Sequence, residues 1–295
     1  MDKNKIERVK FCLSLIRSNG LFGDMYDHVH IDEKWFFLSK TKRNYYLLAE
    51  EPIPDWKCKS KRYIDKVMFM AAVARPRWIA HSKKWFDGLI GIWPYVKKEP
   101  ALRNSKNRAK GTLVTKNIQS VNNQQHQIMM EQNVIPAIKE KWPDGHKTIY
   151  IQQDNAKPHS ASCDNKLQES ALEDGWDIQL KRQPPNSPDL NVLDLGFFAS
   201  IQSLQHQDSP SNIDELIESV QKAFASQKRE AADNIFLSLQ QAMTGVLTVR
   251  GDNTYKLNHM GKDKLRRAGL LPVSIQCDAE IIADSRELLD SNNAI

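Results

Sequence analysis

Along the chain the apolar positions change period several times, and each change marks an element. In "DKNKIERVKFCLSLI" Ile6, Val9, Leu13 and Ile16 fall three or four apart, the spacing of one helix face. Three stretches then predict consecutive strands in a meander: "HVHIDEKWFFL" (28–38), "NYYLLAE" (44–50) and "DKVMFMAAVA" (65–74). From about Arg75 to Lys116 prolines, glycines and cations break any period, so the segment reads as an insertion or long loop with a mobile tip. "NNQQHQIMMEQNVIPAIKEKW" predicts a helix interrupted near Pro136, "KTIYIQQD" a fourth strand, "CDNKLQESALED" a short helix and "WDIQLKRQ" a fifth strand. A helix from about Val192 sets Leu193, Phe197, Ile201 and Leu204 on one stripe, with Asn191 as its N-cap. "SNIDELIESVQKAFA" opens with a capping box ahead of Ile213, Leu216, Ile217 and Val220, and a further helix runs from about Asn234 to Leu247. Strands followed by helices that alternate with strands predict an α/β protein, a mixed sheet with helices packed on its faces.

Length and composition change this picture little. The 295 residues, 40% hydrophobic and 26% charged, suit one large or two modest globular domains. "MDKNKIERVK" is too charged for a signal peptide, and the longest apolar run, "VMFMAAVA", is too short to span a bilayer, so no membrane role is expected. Cys12, Cys58, Cys163 and Cys277 are scattered, which points to neither a zinc site nor a disulfide framework and fits a reducing compartment.

Charge changes it more. Residues 34 to 110 hold 19 Lys or Arg against 6 Asp or Glu, within a net charge of only +6 for the whole chain. Trp35, Trp56, Trp78, Trp85, Trp93, Tyr45, Tyr46 and Tyr95 interleave with those cations. Cations for phosphates and flat rings for exposed bases are what a nucleic-acid surface needs, although a solvated face over core aromatics has the same composition. Lys97, Lys98, Arg103, Lys106, Arg108 and Lys110, in the insertion, are the candidate DNA contacts.

The acidic residues raise a different question, because Asp32 and Glu33 interrupt what otherwise reads as a buried strand. A carboxylate there is costly unless something positive compensates it. Asp154 closes the fourth strand in "YIQQDNAKPH", and Asp194 falls in the first turn of the helix that follows "QPPNSPD". If that helix lies against the sheet, the three carboxylates converge. They then offer a cage for Mg²⁺ or Mn²⁺, hard cations that prefer oxygen ligands, and two such ions suit phosphodiester chemistry. Taken singly, each aspartate has a plainer reading: a solvated strand end for Asp32, an Asx-turn with Asn155 for Asp154, and a carboxylate favoured by the helix dipole for Asp194. Asp189 reads as a turn or capping residue.

In their order, "HIDEKWFFL", "IQQDNAKPH" and "NSPDLNVLD" resemble the three catalytic motifs of mariner-like DDE/D transposases. "KIERVKFCLSLI" is similar to the segment that precedes their catalytic domain, and the likeness runs over roughly residues 3 to 270. Between Asp154 and Asp194 lie 39 residues, the spacing of the plant-type mariner-like branch, and Val192 stands where the animal branch usually has Pro. The resemblance implies a ribonuclease-H-like fold with five strands and a basic insertion after the third. It further implies cleavage and strand transfer at transposon ends, with Asp32, Asp154 and Asp194 as catalytic metal ligands for two Mg²⁺ or Mn²⁺ ions. Asn155 and His159 would support the loop after Asp154.

DNA is the implied partner, a homodimer the implied active form, and the nucleus the implied location. Only 31 residues precede Asp32, fewer than the paired helix-turn-helix modules of the family need. This chain is therefore expected to be a catalytic module to which a full-length transposase could supply end recognition. It divides into a linker helix (1–27), a catalytic domain (28–260, insertion about 75–116) and a basic-then-acidic, partly disordered tail (261–295). The alternatives are an inactive or domesticated DNA- or protein-binding remnant and a general ribonuclease-H-type nuclease.

Overall fold

The computed structural model describes residues 2–38, 50–52, 64–106, 108–143, 148–155, 171–208 and 210–293. Its centre is a five-stranded mixed sheet of β1 (His28–Phe37), β2 (Lys66–Ala74), β5 (Leu89–Pro94), β8 (Thr148–Gln153) and β9 (Asp177–Arg182), in the order β5-β2-β1-β8-β9. β2 runs antiparallel to β1 and β5, whereas β1, β8 and β9 are mutually parallel. Two short hairpins leave this sheet, β3 (Arg77–Ile79) with β4 (Lys84–Phe86) and β6 (Val96–Pro100) with β7 (Leu113–Asn117).

Each sheet face carries its own apolar layer. Val67, Phe69, Ala71 and Val73 of β2 point into one core; Met70, Ala72 and Ala74 point into the other. Burial on both sides is why this strand is continuously apolar instead of alternating. The first core is closed by α1 (Lys3–Ser14), α4 (Phe198–Gln205), α5 (Ile213–Ala225) and α6 (Arg229–Thr248). The second is closed by α2 (Asn123–Met129) and α3 (Ile135–Lys141). A π-helical turn, Met130–Val134, joins α2 to α3 just ahead of Pro136, whose missing N–H and bulky ring disfavour a regular ladder there. No helix among the described residues is long and apolar enough to cross a membrane.

Part of the sequence reading needs correction. "DKVMFMAAVA" pairs directly with β1, and the third strand of the sheet is "LIGIWP", inside the segment read as an irregular insertion. Gly88, Gly91 and Pro94 give that strand the look of a turn, but Leu89, Ile90 and Ile92 are buried. The proposed strand "NYYLLAE" falls almost wholly outside the described residues, as does most of the proposed helix "CDNKLQESALED". The basic insertion after the third strand is the narrower hairpin β6–β7. Within the stretch expected to be a partly disordered tail, the described residues 261–293 carry α7 (Lys262–Arg267) and α8 (Ala279–Asn293). Phe22 N–H donates to the Ile275 carbonyl (3.1 Å) and Cys277 N–H to that of Gly20 (3.0 Å), docking the chain before Ile282 buries on the core. A narrow stripe on an acidic helix was too weak a pattern to read.

Candidate active site

Side-chain alternation on β1 sends Val29 and Ile31 to the α2–α3 core, leaving His30, Asp32, Lys34 and Phe36 on the face toward α4–α6. β8 lies parallel to β1 with His30 opposite Gln152. Two residues further along come Asp32 and Asp154, which line the same cleft. Asp194 comes from the other side, in a π-helical turn, Leu193–Phe197, that opens α4. All three carboxylates line one cleft of about 280 Å³, whose remaining wall is Asn155 and the segment from Gln183 to Pro188.

This cleft is electrostatically strained. Burial, then the charges of Asp194 and Glu33, and more weakly that of Asp154, push the Asp32 carboxyl up to about 8, against the pull of the Glu33 N–H that donates to it at 2.7 Å. A counter-charge comes from Lys34, with Nζ 4.0 Å from Asp194 Oδ1 and over the Phe198 ring. The donors facing the cleft are oxygens, with neither thiolate nor imidazole among its described walls, a set that fits a hard divalent cation. Among the described residues no group of three or more His, Cys, Asp or Glu side chains is close enough to hold an ion as it stands. Without divalent ions Asp32→Asn should therefore stabilise the fold by about 1–2 kcal/mol, a Tm rise of roughly 2–4 °C. Added Mg²⁺ should stabilise the parent chain and not the variant. Thermal unfolding in EDTA and in Mg²⁺ checks this; a variant less stable in EDTA would contradict it.

Buried amides fix the cleft. Asn191 accepts from the Leu193 N–H at 3.0 Å, capping the helical turn as expected, and donates to the Ile31 carbonyl at 3.2 Å, tying that turn to the strand beside Asp32. Gln152 donates to the Leu190 carbonyl (2.8 Å) and to Gln183 Oε1 (3.2 Å), and Asn155 donates to the Gln183 carbonyl. Asn155 thus supports the loop after Asp154, while His159 lies outside the described residues. Sequence reading missed Gln152, Gln183 and Lys34. Gln152 alone left a signal, a polar residue alternating with Ile149 and Ile151.

Beneath the cleft wall Arg8 of α1 is buried. It donates to both oxygens of Asp189 (2.8 and 2.7 Å), to Ser187 Oγ (2.8 Å) and to the Gly251 carbonyl (2.9 Å). Tyr255 OH donates to Asp189 at 2.5 Å. Asp189 accordingly braces the turn Pro188–Leu190 and does not face the cleft.

None of the candidate DNA contacts lines the carboxylate cleft. Pro94 pairs with Phe69, which pairs with Lys34, so hairpin β6–β7 leaves the sheet at the end that carries the cleft. Lys97, Lys98, Arg103, Lys106, Arg108 and Lys110 are all exposed on it. Lys97 is partly spent on Glu99 (2.6 Å), which Lys116 also contacts (3.0 Å).

Comparison with known proteins gives the same architecture. No family model and no curated protein sequence matches the chain. Among solved structures, the catalytic domain of Mos1 mariner transposase aligns with a TM-score of 0.55 at 17% identity, over 85% of this chain and 96% of that one. The Mos1 mariner paired-end complex with Mn aligns at 0.61 and 17%, over 87% and 65%. The Mos1 transposase paired-end complex with left transposon end aligns at 0.60 and 17%, over 85% and 64%. The chain spans just under two thirds of the length of the transposase chains in those complexes. Its fold is the ribonuclease-H-like fold of the Mos1 catalytic domain, with the mixed five-stranded sheet expected from the sequence.

Proposed function

We propose that this chain is the catalytic part of a mariner-like DDE/D transposase, of the plant-type branch by its 39-residue spacing, acting on DNA phosphodiesters at transposon ends. The observation that carries the reading is the common cleft of Asp32, Asp154 and Asp194 on a fold shared with the Mos1 catalytic domain. Mos1 complexes with Mn, with Mg and with a transposon end support divalent metal and DNA as its ligands. Asp32, Asp154 and Asp194 would hold Mg²⁺ or Mn²⁺, two ions by the resemblance. Bound there, the metal supplies activation of the attacking oxygen and relief of charge on the phosphate. The chain's own part is positional. Asn191 and Gln152 fix the carboxylate-bearing segments, Lys34 offers a cation at the rim, and the β6–β7 cations hold the phosphate backbone. A homodimer would pair two ends in the nucleus, with a full-length transposase as a possible source of end recognition.

Product analysis tests the reading. The chain, a labelled duplex bearing a mariner-type terminal repeat and a target duplex are incubated with Mg²⁺, Mn²⁺ or EDTA. Metal-dependent cuts followed by joining at TA steps are expected. Cuts without joining would indicate a general nuclease, and binding without cuts an inactive remnant; either overturns the proposal.

The hairpin gives a separate expectation. Phosphate contacts alone predict a Kd on the order of 10⁻⁴–10⁻⁶ M at physiological salt, with slight sequence preference. Replacing the six named hairpin cations with Ala should flatten the log K against log[salt] slope by about 5. An unchanged slope would place the duplex contacts elsewhere.

A further inference from the structure

A second large groove lies far from the carboxylates. Open and of about 880 Å³, it occupies the opposite end of the sheet, reached by Asp27 before β1 and Thr148 at the start of β8. Five or six residues of strand separate these from Asp32 and Asp154, roughly 17–20 Å. One wall is hairpin β3–β4; the other is the start of α6 and the segment after α7. Gly88 fixes the hairpin: at φ +77° it packs so close to β2 that a Cβ would lie 2.0 Å from the Ala74 carbonyl oxygen.

Trp78 and Trp85 leave about half their surface exposed (50% and 55%), unusual for the largest apolar side chain. They meet edge to face at 5.7 Å, and the Arg229 guanidinium lies 4.6 Å from the Trp85 ring centre. Between them "WIAHSKKW" brings exposed Lys83 and Lys84 and no carboxylate. Two of the groove's acids are paired with arginines, Asp24 with Arg17 (2.6 Å) and Asp233 with Arg75 and Arg266 (2.9 Å each), while half-exposed Asp27 bonds the His28 ring (2.6 Å). Glu230 alone reaches Arg229, at 4.0 Å. The exposed rim is thus aromatic and positive. A duplex buries its base faces and has no use for such rings, whereas unpaired nucleotides present both faces and phosphates.

We propose that this groove binds an unpaired stretch of DNA, with bases stacking on Trp78 and Trp85 and phosphates meeting Lys83, Lys84 and Arg229. The site is separate from the carboxylate cleft and from hairpin β6–β7, so its occupancy does not depend on the proposed chemistry.

The test is fluorescence anisotropy of the full chain in EDTA with labelled oligo(dT) and, separately, a duplex of equal length. Trp78→Ala with Trp85→Ala should weaken oligo(dT) binding roughly 10- to 100-fold, as the loss of stacked bases does, and leave duplex binding unchanged. Trp78→Phe with Trp85→Phe should retain most of it, and Lys83→Ala, Lys84→Ala and Arg229→Ala together should lower it and its salt dependence. Circular dichroism melts of each variant identify any that fail to fold; the Phe pair and the cation variant keep the test decisive if the Ala pair does. Unchanged oligo(dT) binding in the folded Ala pair, or equal losses for both DNAs, overturns the proposal. So does loss of self-association by light scattering without loss of oligo(dT) binding, which would make the groove a protein interface. Because no metal or cleavage enters the assay, a chain inactive in catalysis can still pass it.

Discussion

Asp154→Asn is expected to abolish metal-dependent cleavage while the chain stays folded. Asp154 follows the last residue of β8 and lines the cleft, so the exchange removes one ligand charge and almost no volume. Substituting a group that merely supports a metal ligand costs about 10–100-fold. Losing a ligand itself should exceed that, to more than roughly 10³-fold in nicking rate. Asn155→Ala supplies the comparison, because its amide holds the Gln183 carbonyl and only supports the loop; it should fall in the lower range. Thermal melts of both variants must remain within a few degrees of the parent. Undiminished nicking by Asp154→Asn would remove Asp154 from the chemistry, whereas equal losses in the two variants would reduce it to loop support.

Of the cleft's carboxylates only Asp32 stood out from its surroundings in the sequence; Asp154 and Asp194 were grouped with it by the order of their motifs and the resemblance those motifs carry. Asp32 interrupts an apolar strand, and the spacing of Leu193, Phe197 and Ile201 fixes which face of the following helix turns inward, which in turn fixes where its first turn lies. β1 and β8 were legible as apolar stretches bounded by turn residues, and β9 as the alternation of Ile178 and Leu180 with polar residues. What failed was local pattern without local cause. "LIGIWP" is a strand because β2 and two helical layers bury it, information no window of six residues contains. The end of the chain folds because its segment around Ile275 pairs with Leu21 and Phe22, more than 250 positions away. The Arg8–Asp189 pair joins positions 181 apart, and neither residue departs from what a helix surface or a turn would carry.

That pair has the largest expected effect on stability. Arg8→Ala should destabilise the chain by about 3–5 kcal/mol, because it strands a carboxylate in a part-buried site and unties α1 from two other segments. The approach is close: Gly251, at φ +88°, packs so that a Cβ would lie 2.2 Å from the Lys5 carbonyl oxygen. At roughly 2 °C per kcal/mol, Tm should fall by about 6–10 °C. The pH dependence carries the signature. Burial alone would raise the pKa of Asp189, but hydrogen bonds from Arg8 and Tyr255 and the Arg8 charge outweigh it and hold it below the ordinary carboxylate value. A carboxylate depressed in the folded state stabilises above its unfolded pKa of about 4, and that contribution is lost as pH falls through the lower, folded value. The difference in stability between parent and variant should accordingly be full at pH 7 and shrink below about pH 4. Subtracting the two curves cancels other depressed carboxylates such as Asp252, which the variant keeps. Ser187, held by the same guanidinium, lines the cleft, so Arg8→Lys should also slow cleavage well below its own Tm by loosening that wall. Urea unfolding at pH 7 and pH 3, with nicking assayed at 20 °C, separates the two consequences. A gap between parent and Arg8→Ala that does not close in acid would mean that the Asp189 pairing is not what the arginine contributes.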